Sequence, residues 1–322
     1  MTTPKNPWHR NRLIRDGIYR ALHDAMKENS AVYILGEGSH MKIHFDAPKI
    51  EEEFGHRVIT LPISEDANSN FAVGLSLASL IPVVDVISSD FLYRTMDAIC
   101  NTMAKAGTVG EKRTMIVRAE FMTGGPTSGQ RIEALFTHIP GLRVAIPSNP
   151  LDAEGLMRAA LTEKAVTVFF EDRMIEDSSI PERYRNATFA NPVRGARLVR
   201  GGYLTDPTKA DATIVSYGFT QRIIEDHFSD HYDLIDLRTL YPLDVETVLL
   251  SACHTNRLLI VEPDVQFMGI GAELAATVAE RLPGCRIKRL GAPRMTIPAS
   301  RELHDVIMPS ISQIQAAMEA LS

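Results

Sequence analysis

The sequence predicts an α/β protein made of two parallel-sheet α/β domains. Three observations carry that reading. The chain has 322 residues, more than one ordinary hydrophobic core serves and comfortable for two domains. Short apolar strands alternate with helical patterns through most of it, as in a mostly parallel sheet covered on both faces. The alternation fails once, between about residues 177 and 207, where Pro181, Pro192, Gly195, Gly201, Gly202 and Pro207 punctuate a polar stretch. The expected organisation is a first domain over 1–187, a linker over 188–207 and a second domain over 208–322.

Each element follows from its pattern. Leu13, Ile14, Ile18, Leu22 and Met26 recur at helical spacing within 11–26. Val32-Tyr-Ile-Leu-Gly-Glu-Gly38 is a strand that runs into a Gly turn. Arg57-Val-Ile-Thr-Leu61 is a short buried strand, and the apolar helix of Phe71 to Leu80 follows it. Strands are expected at Ile81–Ser88, Arg113–Ala119, Leu142–Pro147 and Ala165–Phe170, with helices at Phe91–Ala106 and Leu151–Thr162. The second series has a strand and turn at Asp211–Gly218 and strands at Tyr232–Leu237, Arg257–Glu262 and Arg286–Leu290. Its helices are expected at Asp244–Cys253, Gly271–Leu282 and Ser310–Leu321.

Composition excludes several classes. Hydrophobic residues at 45%, charged residues at 23% and a net charge of -6 suit a soluble globular enzyme. No Lys/Arg run or basic stripe offers a nucleic-acid surface. No apolar run approaches a membrane span, and the first ten residues lack an apolar signal region. The three cysteines, Cys100, Cys253 and Cys285, are widely spaced and form no C-x-x-C pair. That usage fits a reducing, cytoplasmic setting and buried thiols better than disulfides or a zinc site.

Leu61-Pro-Ile-Ser-Glu-Asp-Ala-Asn68 is the segment richest in chemistry. It puts a carboxylate, Glu65, at a strand-to-helix turn, where α/β sheets place ligands. A plain helix start reads equally well, with Ser64 as cap and Glu65 and Asp66 as first-turn acids. Gly269-x-Gly271 lacks the third Gly of a dinucleotide fingerprint and reads as a helix start.

Several segments together resemble the β subunit of the thiamine-diphosphate-dependent 2-oxo-acid dehydrogenases (pyruvate, branched-chain or acetoin type), a branch of the transketolase superfamily. Thr60-Leu-Pro-Ile-Ser-Glu65 is similar to the family's T-P-I-S-E, and Leu237-Arg-Thr-Leu-Tyr-Pro-Leu-Asp244 to its L-R-T-I-x-P-L-D. Ser251-Ala-Cys-His-Thr-Asn-Arg-Leu-Leu-Ile-Val-Glu262, Gly269-Ile-Gly-Ala-Glu273 and Ile139-Pro-Gly-Leu-Arg-Val144 continue the match in order, over about residues 12–320.

The resemblance implies a transketolase-like pyrimidine-binding domain followed by a transketolase C-terminal domain. It gives Glu65 a chemical task, a hydrogen bond to the aminopyrimidine ring nitrogen that favours the imino tautomer. Partial burial that raises the carboxyl pKa would help it share that proton. Glu37, Ile63, Ser89 and Phe91 are the other candidate cofactor contacts. The superfamily holds diphosphate and Mg²⁺ through G-D-G and a later Asn, and no such pattern occurs here. The resemblance therefore implies a separate α subunit carrying that half, with α₂β₂ as the closed assembly. A lipoyl acyltransferase is a further implied partner.

The chain departs from the family in three places. Counting back from Pro140-Gly-Leu142 puts Ser128 where the related families have a His. A serine hydroxyl donates a hydrogen bond but is no acid–base group near neutral pH. Ser88 and Ser89 occupy the place of an aromatic expected to stack on the cofactor, with Phe91 and Tyr93 nearby. His40 and His44 are additions to the loop after Glu37 and read as substrate-loop groups or as solvated histidines. His138 matches a family His and is a third catalytic candidate beside Glu65 and Ser128. Asp97 and Asn101 read as ligand or subunit-interface residues or, by default, as solvated or capping ones.

The expected function is a β subunit that decarboxylates a 2-oxo acid and passes the acyl or aldehyde unit to an acceptor, lipoamide by family default. Ser128 keeps open an acyloin-forming or transketolase-like carboligase with a carbonyl acceptor. A non-catalytic scaffold subunit is the third reading.

Overall fold

The structure is a computed structural model. It describes residues 14–37, 48–106, 111–122, 129–175, 195–199, 210–228, 231–298 and 300–321. The chain divides into two compact units. One holds Met1–Met122 and Leu135–Arg194, the other Thr123–Ala134 and Gly195–Ser322. Among the described residues no helix is long and apolar enough to cross a membrane.

The first unit is built on β1 (Val32–Gly36), β2 (Val58–Thr60), β3 (Ile81–Ser88), β4 (Met115–Phe121), β5 (Leu142–Ala145) and β6 (Val166–Asp172). They pair in the order β5-β6-β4-β3-β1-β2, and every pairing is parallel. β4 and β6 are buried along their whole length, which is why their amino-terminal halves run largely apolar rather than alternating. Each Val, Ile or Phe taken fully from water there stabilises the fold by about 1.5–3 kcal/mol.

Helices α1 (Ile14–Glu28), α2 (Pro48–Phe54), α3 (Glu65–Leu77), α4 (Ala104–Ala106), α5 (Glu133–Thr137) and α6 (Pro150–Thr162) accompany the sheet. α6 opens on Asn149, whose side chain accepts from the N–H groups of Leu151 and Asp152. α1 lies so close to α6 that a Cβ on Gly17 would stand 2.0 Å from the Pro150 carbonyl oxygen. The helix expected at Phe91–Ala106 is irregular, a 3₁₀ segment Ser89–Thr95 and a π segment Ala98–Met103 leading into α4.

The second unit holds β7 (Arg197–Val199), β8 (Thr213–Ser216), β9 (Asp233–Asp236), β10 (Thr239–Tyr241), β11 (Arg257–Val265) and β12 (Arg286–Ala292). Its sheet has the order β12-β11-β8-β9-β7. All pairings are parallel except β7 with β9, so an antiparallel strand forms inside the span read as linker. The rest of that span, 188–194 and 200–207, lies outside the described residues. Helices α7 (Gly218–Phe228), α8 (Val245–Thr255), α9 (Ile270–Arg281), α10 (Arg301–Ile307) and α11 (Ile311–Glu319) complete the unit. Ile224, Phe228, Ile314 and Met318 of α7 and α11 pack with Ile214, Leu234, Leu259 and Val261 of the sheet in one core cluster. α8 and α9 take the opposite face, where Ser251 meets Thr213 and Gly271 meets Ile260.

The motifs of this unit hold backbone. Arg238 donates to the carbonyls of Gly195 and Ala196. Asp244 caps α8 through the Thr247 N–H and also accepts from the Ala196 N–H. Burial would raise the Asp244 carboxyl, but these donors and Arg238 bring it below its ordinary value. Glu262, fully buried, accepts from the Gly271 N–H at 3.1 Å and from Arg289 at 3.2 Å. A Cβ on Gly269 or Gly271 would collide with the Glu262 carboxylate, at 2.3 and 2.7 Å. The two glycines therefore open a helix over a buried acid, as the helix-start reading expects. The thiols correct the sequence reading. All three are free, but Cys253 is exposed and Cys100 and Cys285 are half-buried.

Candidate active site

Parallel pairing brings the carboxyl ends of β1, β2 and β3 to one end of the first unit's sheet, with Gly36 opposite both Thr60 and Asp85. The turn after β2 therefore lies beside the residue after β1. Glu37 uses that proximity. Its Oε1 accepts from the Ser64 N–H at 2.7 Å and from the Asn68 side-chain amide at 3.2 Å. The same amide donates to the Pro62 carbonyl at 3.1 Å. Two strand ends and the first turn of α3 are thus stitched together by Glu37 and Asn68.

Ser64 is the N-cap residue of α3, yet its side chain makes no capping hydrogen bond. The turn is held by Glu37 instead, which weakens the plain helix-start reading. Glu65 follows with a side chain only 8% exposed, and its Oε2 lies 3.4 Å from Nε of Arg94, itself 74% exposed. Burial raises the Glu37 carboxyl pKa; the Ser64 N–H opposes it, the charges of Glu65 and Asp85 add to it, and Arg94 opposes it. Glu65 thus stands as a nearly buried carboxylate with one exposed cation, Arg94, beside it.

Around this pair stand the other candidates. Ile63 is 83% exposed at the tip of the turn. Ser88 and Ser89 are buried; the Ser88 hydroxyl donates to Asp90, and the Ser89 Oγ has no hydrogen-bond partner among the described residues. Phe91 is 36% exposed and Tyr93 50%, so neither is a core residue. Asp97 and Asn101 hydrogen-bond each other on an exposed surface, and Asn101 accepts from Lys105, which fits the solvated reading.

The fold does not bring His138 to this turn. It is exposed in the connection between α5 and β5, at the amino end of a strand that β6, β4 and β3 separate from β1. Ser128, His40 and His44 lie outside the described residues. Asn68 and Arg94 are the site residues that sequence reasoning missed. Asn68 carried a legible signal, a short amide three residues after Glu65 on one helix turn. Arg94 carried none, because its approach depends on the 3₁₀ path of residues 89–95. Among the described residues no group of three or more His, Cys, Asp or Glu side chains is placed to hold a metal.

Comparison with known proteins gives a consistent picture. Residues 12–175 match the family model described as "Transketolase, pyrimidine binding domain", and residues 201–314 match "Transketolase, C-terminal domain". A 2-oxoisovalerate dehydrogenase subunit beta of Bacillus subtilis is 28% identical over 95% of this chain and 97% of its own length. An acetoin:2,6-dichlorophenolindophenol oxidoreductase subunit beta of Cupriavidus necator is 29% identical over 94% of this chain and 95% of its own. Among solved structures, one titled "Split gene transketolase, inactive beta4 tetramer" superposes with a TM-score of 0.76 at 20% identity, covering 96% of this chain and 97% of the other. That likeness shows the fold.

Proposed function

The chain belongs to the transketolase family, among the β subunits of 2-oxo-acid dehydrogenases, and from that premise we propose that it is the pyrimidine-binding half of a two-chain thiamine diphosphate enzyme acting on a 2-oxo acid. The observation that carries the reading is Glu65, a nearly buried carboxylate at the carboxyl ends of β1–β3 on a turn fixed by Glu37.

The residues present fit the aminopyrimidine of that cofactor. Glu65 offers a carboxyl oxygen to a ring nitrogen, Ile63 an exposed apolar support, and the Ser89 hydroxyl an unfilled hydrogen bond. When bound, thiamine diphosphate supplies a carbanion that adds to the substrate carbonyl. Glu65 holds or releases one proton at the pyrimidine nitrogen, and its shielding from water strengthens that bond. Glu37 keeps the Ser64–Asn68 turn in register, so that the Glu65 carboxyl has one position. Phe91, exposed beside the serine pair, is a further apolar contact.

A partner chain completes this reading. The outer face of α3 presents Ala67, Phe71, Gly74, Leu77 and Ala78, all exposed, next to the proposed site. An exposed apolar stripe of this kind marks a surface for another chain. We assign that face to an α subunit that brings the diphosphate and Mg²⁺ groups, in an α₂β₂ assembly.

The acceptor is lipoamide by family default. The test is turnover of pyruvate and branched 2-oxo acids by the full assembly, with and without a lipoyl domain. Lipoyl domain raising steady turnover is the expected result. Stimulation by an aldehyde in its place would identify a carboligase instead.

A further inference from the structure

Asp85 is buried near the end of β3 and is gripped from several sides. Its Oδ2 lies 3.2 Å from Nη1 of Arg118, its neighbour on β4, and its Oδ1 accepts the Ile87 N–H at 3.0 Å. Ile87 has φ of +68°, a left-handed conformation that a β-branched residue adopts only under constraint. The β3–β4 register shifts at this point, between Asp85 and Ser88, as in a bulge that re-aims the residues after it. On the other side, Gly36 comes so close that a Cβ there would lie 2.5 Å from the Asp85 carbonyl oxygen. The residue after Gly36 is Glu37.

Arg118 is itself fixed. It is 2% exposed, and its Nε donates to Glu171 Oε1 at 2.6 Å. A guanidinium can bridge two carboxylates in this way because its donors form a rigid fork. One line of contacts therefore runs from Arg118 to Asp85, through the strained Ile87 bulge, to Ser89. It continues along the 3₁₀ segment to Arg94 at the Glu65 carboxylate.

We infer that Asp85 is a positioning residue, pinned by Arg118, that sets the Ile87 bulge delivering Ser89 and Arg94 to the Glu65 turn. The inference rests on the proposed cofactor site, and it adds a residue that touches neither cofactor nor substrate. Outer residues of this kind act by fixing the geometry of inner ones, and small displacements of a site are costly.

The experiment titrates thiamine diphosphate calorimetrically into the full assembly carrying Asp85→Ala, Asp85→Asn or Glu171→Gln, with a thermal melt of each. Asp85→Ala and Glu171→Gln each take one carboxylate from Arg118, but only the first frees the bulge. Asp85→Ala should weaken binding by about 10- to 100-fold. Asp85→Asn, whose amide oxygen still accepts the Ile87 N–H but whose NH₂ cannot accept from Arg118, should recover part of that loss, to within about tenfold of wild type. Glu171→Gln, which removes an Arg118 partner without touching the Ile87 bond, should stay within about threefold of wild type.

If the alanine variant does not fold, Arg118→Lys gives the same reading. Its ammonium serves Glu171 without the fork that reaches Asp85, and binding should weaken by about tenfold. Equal losses for Asp85→Ala and Glu171→Gln, no rescue by Asp85→Asn, or full binding by Arg118→Lys would each overturn the inference. A wild-type assembly that binds no thiamine diphosphate at all would instead bring down the site reading, and this inference with it.

Discussion

Glu65→Gln is expected to cut turnover of the 2-oxo acid by about 10²- to 10⁴-fold, the usual worth of a positioned acid–base group. The amide has the size of the carboxyl and still accepts a hydrogen bond, but it cannot exchange a proton with a ring nitrogen. Thiamine diphosphate affinity should therefore change far less than turnover. Glu37→Gln is the internal control. Its amide oxygen keeps the bonds from Ser64 and Asn68, so the turn should hold and turnover should fall much less. Steady-state rates and cofactor titration of the two variants check this. Equal losses for both would mean that Glu65 acts only as part of the turn.

The second large effect is on stability. Burial pushes the Glu262 carboxyl from the ordinary 4.5 up to about 7; the Gly271 N–H and Arg289 oppose the shift and Glu133 adds to it. The folded state binds this proton more tightly than the unfolded chain does. Its contribution is complete below pH 4.5 and is lost as pH rises through about 7. At about 1.4 kcal/mol per pKa unit, the loss is about 3 kcal/mol. Glu262→Gln removes the titration. The stability difference between variant and wild type, from urea unfolding between pH 4 and 8, should therefore shift by about 3 kcal/mol in favour of the variant as pH rises. A pH-independent difference would show that Glu262 titrates normally in the fold.

The sequence made the framework legible wherever one physical signal dominated. β3 was expected at Ile81–Ser88 and occupies those residues, because a β-branched run that closes on a serine pair has one reading. The place of Glu65 was legible for the same reason, since a strand, a Pro-containing turn and an acid before an apolar helix define a strand end. The Ile87 bulge was not legible. Local propensity argues against a left-handed isoleucine, and the bulge exists only through Asp85 and Arg118, residues from two strands. α7 was also hidden. It opens on Gly218, which reads as a turn, and buries Thr220, Gln221, Arg222 and Glu225, which blurs apolar periodicity. The roles of Arg238, Asp244 and Glu262 needed the tertiary structure, because each holds backbone distant in sequence. The place of His138 was not legible either, because a matching motif position says nothing about which end of a strand the residue occupies.

Native mass spectrometry of this chain, purified gently from its own cells, tests the central claim most directly. The account predicts a complex with a second chain that carries G-D-G and a later Asn, with thiamine diphosphate bound. An oligomer of this chain alone, with no partner and no thiamine diphosphate, would contradict the claim and favour a scaffold role.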